Sequence, residues 1–289
     1  MTQRPNRITG ELEEVGGQSP PIAHERIQLA DGEEIAYVTS GHGPVDVLFV
    51  HGWLSSGMYW LPVIRRMPAG QYRCWAPDLP GFGGSSPAVA ESSFSRMAAA
   101  VRRFAEQLDL RDVVLVGHSM GGSTALVMAA SHDPRIGNLV LEGVTADPPT
   151  GASVEVLLER VRKKGSSESL LRAVINSWFL EIAPDDFDFM LRGARRVSRE
   201  TFLSSLEAIA AGAGAKAANE VNIPTLIAFG VHDQIREFSQ MVELNEAICN
   251  SHLFVVEKSA HTPHYDNPGK FTWLIRTWLE QGDAFDTVD

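Results

Sequence analysis

The sequence predicts an α/β protein in which a doubly wound, mostly parallel sheet of eight strands carries an inserted helical cap. Two observations indicate the sheet: short apolar runs recur along the chain, and helical stretches lie between them. Strands that are apolar on both faces are typical of parallel sheets covered by helices on either side. The cap is predicted from a third observation, a long stretch between two of these runs that has helical patterns and no convincing strand.

The first predicted element is a β-hairpin that follows a polar N-terminus. Residues 1–24 are rich in Pro, Gly and Glu and are interpreted as a flexible leader, so that order should begin near Glu25. Residues 26–29 and 34–38 alternate between polar and apolar around Asp31-Gly32, which is a hairpin signal. This hairpin should lie at the edge of the sheet.

Six further strands are predicted from the apolar runs, at residues 45–50, 72–76, 113–116, 139–141, 224–229 and 253–256. Helices are predicted between them, for example at residues 94–108 and 120–130. The stretch 113–130 has no Asp, Glu, Lys or Arg, but Gly, His and Ser interrupt it. A strand, a sharp turn and a helix are therefore favoured there over a membrane span.

Residues 148–220 are predicted to form the cap, inserted into a core made of residues 25–147 and 221–289. Helical patterns occur at residues 154–163, 170–179 and 199–210, and the Ala- and Gly-rich residues 210–218 are interpreted as the linker that returns to the core. If one face of the cap covers the site described below, the substrate is at least partly apolar.

Composition and charge narrow the possible partners. Hydrophobic residues make up 44% of the 289 residues, which is ample for a packed core. The 36 Asp and Glu outnumber the 25 Lys and Arg, so the net charge is −11. Nucleic acid and anionic membrane surfaces are therefore poor candidates, and a small-molecule substrate is expected. The sequence leaves the oligomeric state open.

The cysteines and the N-terminus predict a cytoplasmic protein. Cys74 and Cys249 are far apart and do not form a disulfide framework, which favours a reducing compartment. Residues 1–17 are polar and acidic and have no basic segment leading into an apolar one, so no signal peptide is visible.

The strongest chemical signal is the segment Gly-His-Ser-Met-Gly-Gly at residues 117–122, which follows one apolar run directly and opens a helix. In the pattern G-x-S-x-G, the serine lies on a turn too tight for side chains on its neighbours. Gly117 and Gly121 provide that room. Ser119 would then project from the carboxyl edge of the sheet, where the dipole of the following helix favours negative charge. Ser119 is the candidate nucleophile.

Two later segments supply a base and an acid for this serine. A serine hydroxyl is a weak nucleophile until a base takes its proton, and that base needs an orienting acid. Asp233 lies just past the strand predicted at residues 224–229, and His261 lies in the loop after residues 253–256. Both loops leave the same edge of the sheet as Ser119. His261 as base and Asp233 as acid therefore require no unusual geometry.

A fourth element is His51-Gly52-Trp53, at the end of the strand predicted at residues 45–50. Acyl transfer passes through a tetrahedral intermediate whose oxyanion needs two preorganised N–H donors. The backbone amides of Trp53 and Met120 are the expected pair, and His51 is expected to support the loop rather than to react.

With these segments in place, the chain resembles the α/β-hydrolase superfamily. The similar motifs are His51-Gly52, Asp-Leu-Pro-Gly-Phe-Gly-Gly-Ser at residues 78–85, the segment at residues 117–122, Gly-Val-His-Asp at residues 230–233, His-Thr-Pro at residues 261–263 and Asn267-Pro268. The resemblance extends from about Glu25 to a C-terminal helix that ends near Gln281, and it is least specific in the cap.

The resemblance implies a role for each candidate: Ser119 as nucleophile, Asp233 as acid, His261 as base, and Trp53 with Met120 as oxyanion donors. Some members of this fold place the acid after the strand at residues 139–141. Glu142 and Asp147 are available there, so this second arrangement stays open.

Differences between this sequence and the motifs of particular subfamilies narrow the range of possible activities. Dehalogenases and epoxide hydrolases of this fold carry an aspartate nucleophile, whereas residue 119 is serine. Proline iminopeptidases usually have His-Gly-Gly-Pro-Gly where residues 51–55 read His-Gly-Trp-Leu-Ser. Enzymes that cleave carbon–carbon bonds of aromatic ring-fission products usually carry a glycine-rich oxyanion loop, which is absent here. The chain looks most like the esterase, lactonase and cofactor-free perhydrolase group.

The expected function is hydrolysis of a carboxylic ester, lactone or thioester through an acyl-enzyme on Ser119, without a cofactor. One alternative is an acyltransferase or thioesterase that acts on carrier-bound acyl groups, for which the basic residues Arg160, Arg162, Lys163 and Lys164 could contact an anionic carrier. Another is a small-molecule receptor that keeps the triad, because fold and triad do not by themselves establish turnover.

No metal is expected. His261 and His264 lie three residues apart and His232 adjoins Asp233, but no H-E-x-x-H or similar spacing accompanies them.

Overall fold

A single eight-stranded sheet organises the chain in a computed structural model that describes residues 7–8, 21–87, 91–145, 152–213 and 215–282. The strands are β1 (Ile22–Gln28), β2 (Glu34–Gly41), β3 (Val45–Val50), β4 (Tyr72–Pro77), β5 (Val113–His118), β6 (Ile136–Glu142), β7 (Thr225–Gly230) and β8 (Ser251–Val256). Their spatial order is β1-β2-β4-β3-β5-β6-β7-β8. β2 pairs antiparallel with β1 and β4, and the remaining pairs are parallel. The predicted fold class is confirmed.

Helices occupy the connections. They are α1 (Leu61–Ile64), α2 (Phe94–Gln107), α3 (Met120–Ala130), α4 (Ala152–Lys164), α5 (Glu168–Asn176), α6 (Pro184–Arg196), α7 (Arg199–Ala211), α8 (Ala215–Asn219), α9 (Phe238–Ala247), α10 (Pro263–Asp266) and α11 (Pro268–Gln281), and a 3₁₀ turn at Gly57–Trp60 precedes α1. Serine side chains accept hydrogen bonds from the first turns of several helices, as Ser93 does from the Arg96 N–H of α2.

The core lies on both faces of the sheet because successive residues of a strand point to opposite sides. On β3, Val47 and Phe49 join a cluster with Trp60 and with α11, whereas Leu48 and Val50 belong to a cluster on the other face. Every residue of β5 is buried, as its unbroken apolar run predicted.

Helices α4 to α8 all lie between β6 and β7, and we call them the helical insert. Insert residues belong to the same buried cluster as one face of the sheet; they include Ile175, Trp178, Phe202 and Leu206. The insert is therefore packed against the core by apolar contact. Its interpretation as a cap with limits at residues 148 and 220 stays a prediction, and residues 146–151 and 214 lie outside the described residues.

The structure differs from the sequence expectations in three places. β1 begins at Ile22 rather than near Glu25, because residues 22–24 continue the ladder to Val38, Thr39 and Ser40. α6 was not foreseen, although Pro184 in its first turn and basic residues in its last turn are typical helix signals. The segment interpreted as a linker contains the end of α7 and most of α8.

Two residues of the expected leader also make specific contacts. The backbone N–H groups of Arg7 and Ile8 donate to the two carboxylate oxygens of Asp186 on α6, at 2.6 and 3.0 Å. Ile8 is buried in the main cluster. These two residues have defined contacts, whereas residues 1–6 and 9–20 lie outside the described residues and the flexible leader stays a prediction.

The turn from β5 to α3 depends on close backbone approach. A Cβ atom added at Gly117 would lie 2.6 Å from the carbonyl oxygen of Gly121, and one added at Gly121 would lie 2.3 Å from the carbonyl oxygen of Val50. These distances are too short for carbon–oxygen contact. Glycine at both positions therefore lets α3 begin directly against the ends of β5 and β3.

We predict that Gly121→Ala lowers the free energy of unfolding by about 1–3 kcal/mol, because the new methyl group meets backbone that cannot swing aside. Denaturant unfolding of the purified variant measures this. The matched control is Gly193→Ala in the middle of α6, where an added Cβ has open space. It should leave stability unchanged or raise it by roughly 0.5–1 kcal/mol. Equal stability of the two variants would contradict the close-approach argument.

Candidate active site

Ser119 lies at the junction of β5 and α3 in a strained backbone conformation. Its φ of 51° and ψ of −116° lie in a region that residues with a Cβ rarely adopt. Its N–H donates to the carbonyl oxygen of Glu142 on β6 at 2.8 Å, and its own carbonyl oxygen accepts from the N–H of Ser123 at 2.9 Å. These bonds hold the residue at the carboxyl edge of the sheet, where the sequence placed it.

His261 and Asp233 form a buried hydrogen-bonded pair. Nδ1 of His261 lies 2.9 Å from Oδ2 of Asp233, and both side chains are almost fully buried. The other oxygen of Asp233 accepts from the backbone N–H groups of Ile235 and Arg236, at 2.7 and 3.1 Å. The carboxylate is thus fixed on both sides, which leaves Nε2 as the ring nitrogen of His261 not used by Asp233.

The charge on Asp233 is favoured in spite of its burial. Burial alone raises the pKa of Asp233, but the adjacent His261 and the hydrogen bonds to the carboxylate outweigh it and hold this pKa below its ordinary value. An ionised acid is what orients an imidazole and stabilises its protonated form.

Glu142, one of the two alternative acids, is bonded to a different histidine. Its carboxylate oxygens accept from the backbone N–H of His264 at 2.8 Å and from Nδ1 of His264 at 2.7 Å. Both side chains are fully buried. Glu142 therefore orients His264, whereas Asp233 contacts His261. Asp147, the other alternative, lies outside the described residues.

His51 fixes the peptide that joins Gly52 to Trp53. Nε2 of His51 accepts from the N–H of Leu79 at 2.9 Å, so the ring proton is on Nδ1, which donates to the carbonyl oxygen of Gly52 at 2.8 Å. In a trans peptide the carbonyl and the following N–H point in opposite directions. Holding the Gly52 carbonyl therefore also fixes the direction of the Trp53 N–H.

The indole of Trp53 is held separately, by its Nε1 donating to the hydroxyl of Ser205 on α7 at 2.9 Å and by edge contact with Phe202. Neither the Trp53 nor the Met120 backbone N–H donates to another group among the residues that the structure describes. Trp53 lines the cavity that also contains Ser119; Met120 is buried and opens α3 immediately after that serine.

A cavity of about 200 Å³ brings Ser119, His261 and Trp53 together beneath the helical insert. Its walls are mostly apolar and come from α4, α5 and α7 as well as the core; they include Val154, Leu157, Val174, Trp178, Leu206 and Ile209. A partly apolar ligand fits this lining. The sequence could not assign these insert residues, because their apolar pattern is equally typical of packing.

Sequence reasoning also missed Arg236, which lines this cavity and is 7% exposed. Its Nε donates to the carbonyl oxygen of Gly143 at 3.3 Å. The available signal was a basic residue three positions after Asp233, in a loop that leaves the carboxyl edge of the sheet.

His118, Glu142 and His264 form a buried cluster in which one ligand-type atom of each residue lies within 4.8 Å of the others. Both carboxylate oxygens of Glu142 already accept from His264, and Nε2 of His118 lies 2.9 Å from the carbonyl oxygen of His261. These contacts support the His261 loop, while Nδ1 of His118 and Nε2 of His264 have no hydrogen-bond partner in the described part of the chain. The expectation that the protein holds no metal stays a prediction.

No helix in the described ranges has the length and apolar character required to cross a membrane. The stretch at residues 113–130 forms β5, the turn at Ser119 and α3, as the sequence predicted.

Comparisons with known proteins agree with this architecture. A family model described as alpha/beta hydrolase fold matches residues 46–268. Among curated proteins, a 2-hydroxy-6-oxononadienedioate/2-hydroxy-6-oxononatrienedioate hydrolase of Paraburkholderia xenovorans is 27% identical over 278 residues, covering 88% of this chain and 93% of that protein. A pimeloyl-[acyl-carrier protein] methyl ester esterase of Aeromonas hydrophila is 27% identical, covering 83% of this chain and 96% of its own.

Among solved structures, an esterase from Exiguobacterium antarcticum aligns with a TM-score of 0.80 and 25% identity, covering 88% of this chain and 98% of its own. An enol-lactonase from Burkholderia xenovorans aligns with a TM-score of 0.79 and 22% identity, covering 89% and 100%. The second likeness shows the fold alone.

The two buried histidines beside the site predict a loss of stability in mild acid. Burial lowers the pKa of His51, and burial with the nearby His264 and His261 lowers the pKa of His118 well below its ordinary value. As pH falls below about 6.5, the unfolded chain takes up protons that the folded chain cannot, so the free energy of unfolding decreases by up to about 1.4 kcal/mol per pH unit for each histidine. The decrease ends once pH passes below the folded pKa values.

Denaturant unfolding at pH 7, 6 and 5 measures this slope. His118→Gln should flatten it relative to the wild type, whatever its effect on stability at pH 7. The control His42→Gln changes an exposed histidine and should keep the wild-type slope. A slope unchanged by His118→Gln would show that His118 is not held neutral by burial.

Proposed function

The chain belongs to the α/β-hydrolase family, and on that premise we propose that it is a serine hydrolase. It cleaves a carboxylic ester, lactone or thioester of a partly apolar small molecule through an acyl-enzyme on Ser119. A relative named as a hydrolase supports hydrolysis, and a relative named as a methyl ester esterase, with an esterase among the similar structures, supports ester-type chemistry.

The observation that carries the proposal is the Asp233–His261 hydrogen bond beside a cavity that contains Ser119. A carboxylate on Nδ1 fixes the tautomer in which Nε2 is free to accept a proton. Gly143, whose φ is 62°, makes room for the ring, since a Cβ there would lie 2.7 Å from Cε1 of His261. The imidazole is thus held in place by both charge and shape.

The reaction follows from these positions. Nε2 of His261 takes the proton of the Ser119 hydroxyl as its oxygen attacks the carbonyl carbon, and Asp233 stabilises the imidazolium that forms. The imidazolium then protonates the leaving alkoxide or thiolate as its bond to the acyl group breaks, which gives the alcohol or thiol. Water, deprotonated by the same imidazole, attacks the acyl-enzyme and releases the acid and the serine.

We assign the oxyanion of both tetrahedral intermediates to the backbone N–H groups of Trp53 and Met120. The Met120 amide is at the first residue of α3, where helix N–H groups lack partners within the helix. The Trp53 amide is directed by His51 through the Gly52 carbonyl. His51 is accordingly a positioning residue, since it acts through that peptide.

The helical insert serves in this proposal as a cap over Ser119, spanning about residues 148–220. Its contribution to the cavity wall supports that role, because water excluded from the site strengthens every electrostatic interaction within it. The proposed chemistry requires neither a metal nor an organic cofactor. We further propose a cytoplasmic location, supported by the two free cysteines, Cys74 and Cys249.

We predict that Ser119→Ala abolishes hydrolysis of 4-nitrophenyl butyrate above the uncatalysed rate. Asp233→Asn should lower kcat about 10³- to 10⁴-fold, because an amide can stabilise neither the required tautomer nor the imidazolium. The matched control is Ser177→Ala, a serine that lines the same cavity and whose hydroxyl donates to the carbonyl oxygen of Val174.

Release of 4-nitrophenolate measures these rates, and the Ser177→Ala variant should remain active. Wild-type turnover in Ser119→Ala would overturn the proposal. Acyl transfer to an added alcohol or amine in preference to water would favour the acyltransferase alternative. Ligand-induced thermal stabilisation with a steady-state rate near zero would favour the receptor alternative.

A further inference from the structure

Arg236 is a buried cation on the wall of the proposed active-site cavity. It lies three residues after Asp233, whose carboxylate accepts from its backbone N–H. The residue is 7% exposed, and it lines the same cavity as Ser119 and His261. A guanidinium group is charged at all physiological pH values.

The hydrogen bonds of this guanidinium are incomplete. Arginine has five N–H donors, and burying them without acceptors is costly. Within the described part of the chain, Arg236 donates one side-chain hydrogen bond, from Nε to the carbonyl oxygen of Gly143 at 3.3 Å. No carboxylate of that part forms a salt bridge with it; the nearby Asp233 pairs with His261 instead.

Among the described residues, the rest of the cavity lining supplies no negative charge. Apart from Arg236, the lining consists of apolar side chains, the glycine at position 52, two serines, two histidines, Tyr59 and two tryptophans. A neutral ligand in this cavity would supply no charged acceptor to the terminal N–H groups of this desolvated cation. A planar carboxylate would accept from the terminal nitrogens in the bidentate geometry that arginine favours.

A purely structural role for Arg236 does not explain its missing hydrogen-bond acceptors. Arginine often packs its aliphatic part against apolar residues, but a charged head then reaches water or a carboxylate. Here the burial of Arg236 lowers its pKa, and the nearby Asp233 offsets this in part. That interaction at a distance does not supply acceptors for the terminal N–H groups.

We propose that Arg236 selects substrates that carry a carboxylate in addition to the ester, lactone or thioester that Ser119 attacks. The inference rests on the proposed function and refines its substrate class. Two chemical types meet the requirement: a half-ester of a dicarboxylic acid, with the carboxylate on the acyl part, and an ester of a hydroxy acid, with the carboxylate on the leaving group. In either, water cleaves the acyl–oxygen bond and the carboxylate stays unchanged.

Two matched pairs of substrates test this. Monomethyl glutarate is compared with methyl valerate for a carboxylate on the acyl part, and 3-acetoxypropionate with propyl acetate for one on the leaving group. For at least one of these pairs, the kcat/KM of the wild type should be at least tenfold higher for the acid than for the neutral ester. Arg236→Met should lower that ratio roughly 10- to 100-fold, mainly through KM of the acid. Arg236→Lys should give an intermediate ratio.

The control Arg96→Met removes an exposed cation of α2 and should keep the wild-type ratio. A structural role for Arg236 would lower the rates for both members of a pair together and leave the ratio unchanged, which would overturn the proposal. A wild type without preference for either acid would overturn it too, whereas the proposed hydrolase activity would stand.

Binding provides an independent readout. Calorimetric titration measures the affinity of the Ser119→Ala variant for glutarate. Adding Arg236→Met to this variant should weaken that affinity roughly 10- to 100-fold. If no ester is hydrolysed, the proposed function fails, yet this titration still decides the role of Arg236. Equal glutarate affinity in the single and double variants would refute the carboxylate site.

Discussion

The conformation of Ser119 is the constraint on which the site depends. A residue with a Cβ holds a φ of 51° only where its surroundings enforce it. Here the hydrogen bond that Ser119 donates to β6 and the glycines at positions 117 and 121 provide that enforcement, since β3, β5 and α3 meet with no space for side chains. The hydroxyl is thereby fixed at the edge of the sheet where the loops after β6, β7 and β8 converge.

Those loops are fixed by buried polar contacts rather than by regular structure. Asp233 accepts hydrogen bonds from its own loop and from His261, and Glu142 holds His264 in the same manner on the neighbouring strand. His118 lies beside His264 and contacts the carbonyl oxygen of His261, so it links the Asp233–His261 pair to the Glu142–His264 pair. Each of these contacts satisfies one buried polar atom, so the same contacts provide stability and the proposed catalytic geometry.

The sheet, and the positions of Ser119, Asp233 and His261 at its carboxyl edge, could be predicted from sequence because they carry local signals. Apolar runs specify buried parallel strands, and Ser119, Asp233 and His261 each follow one of them. The cavity wall could not be predicted, since Trp178 or Leu206 on an apolar helix face is equally compatible with packing. Arg236 was missed for a related reason: its burial with few hydrogen-bond acceptors is visible only when its neighbours in space are known.

The most direct test of this account is the labelling of the wild type with a fluorophosphonate, followed by mass spectrometry of its peptides. A nucleophilic serine activated by His261 predicts a single adduct on the peptide that contains Ser119, formed at least about 100-fold more slowly in His261→Ala. An adduct on another residue, or equal labelling rates in the wild type and the variant, would contradict the assignment of Ser119 and His261.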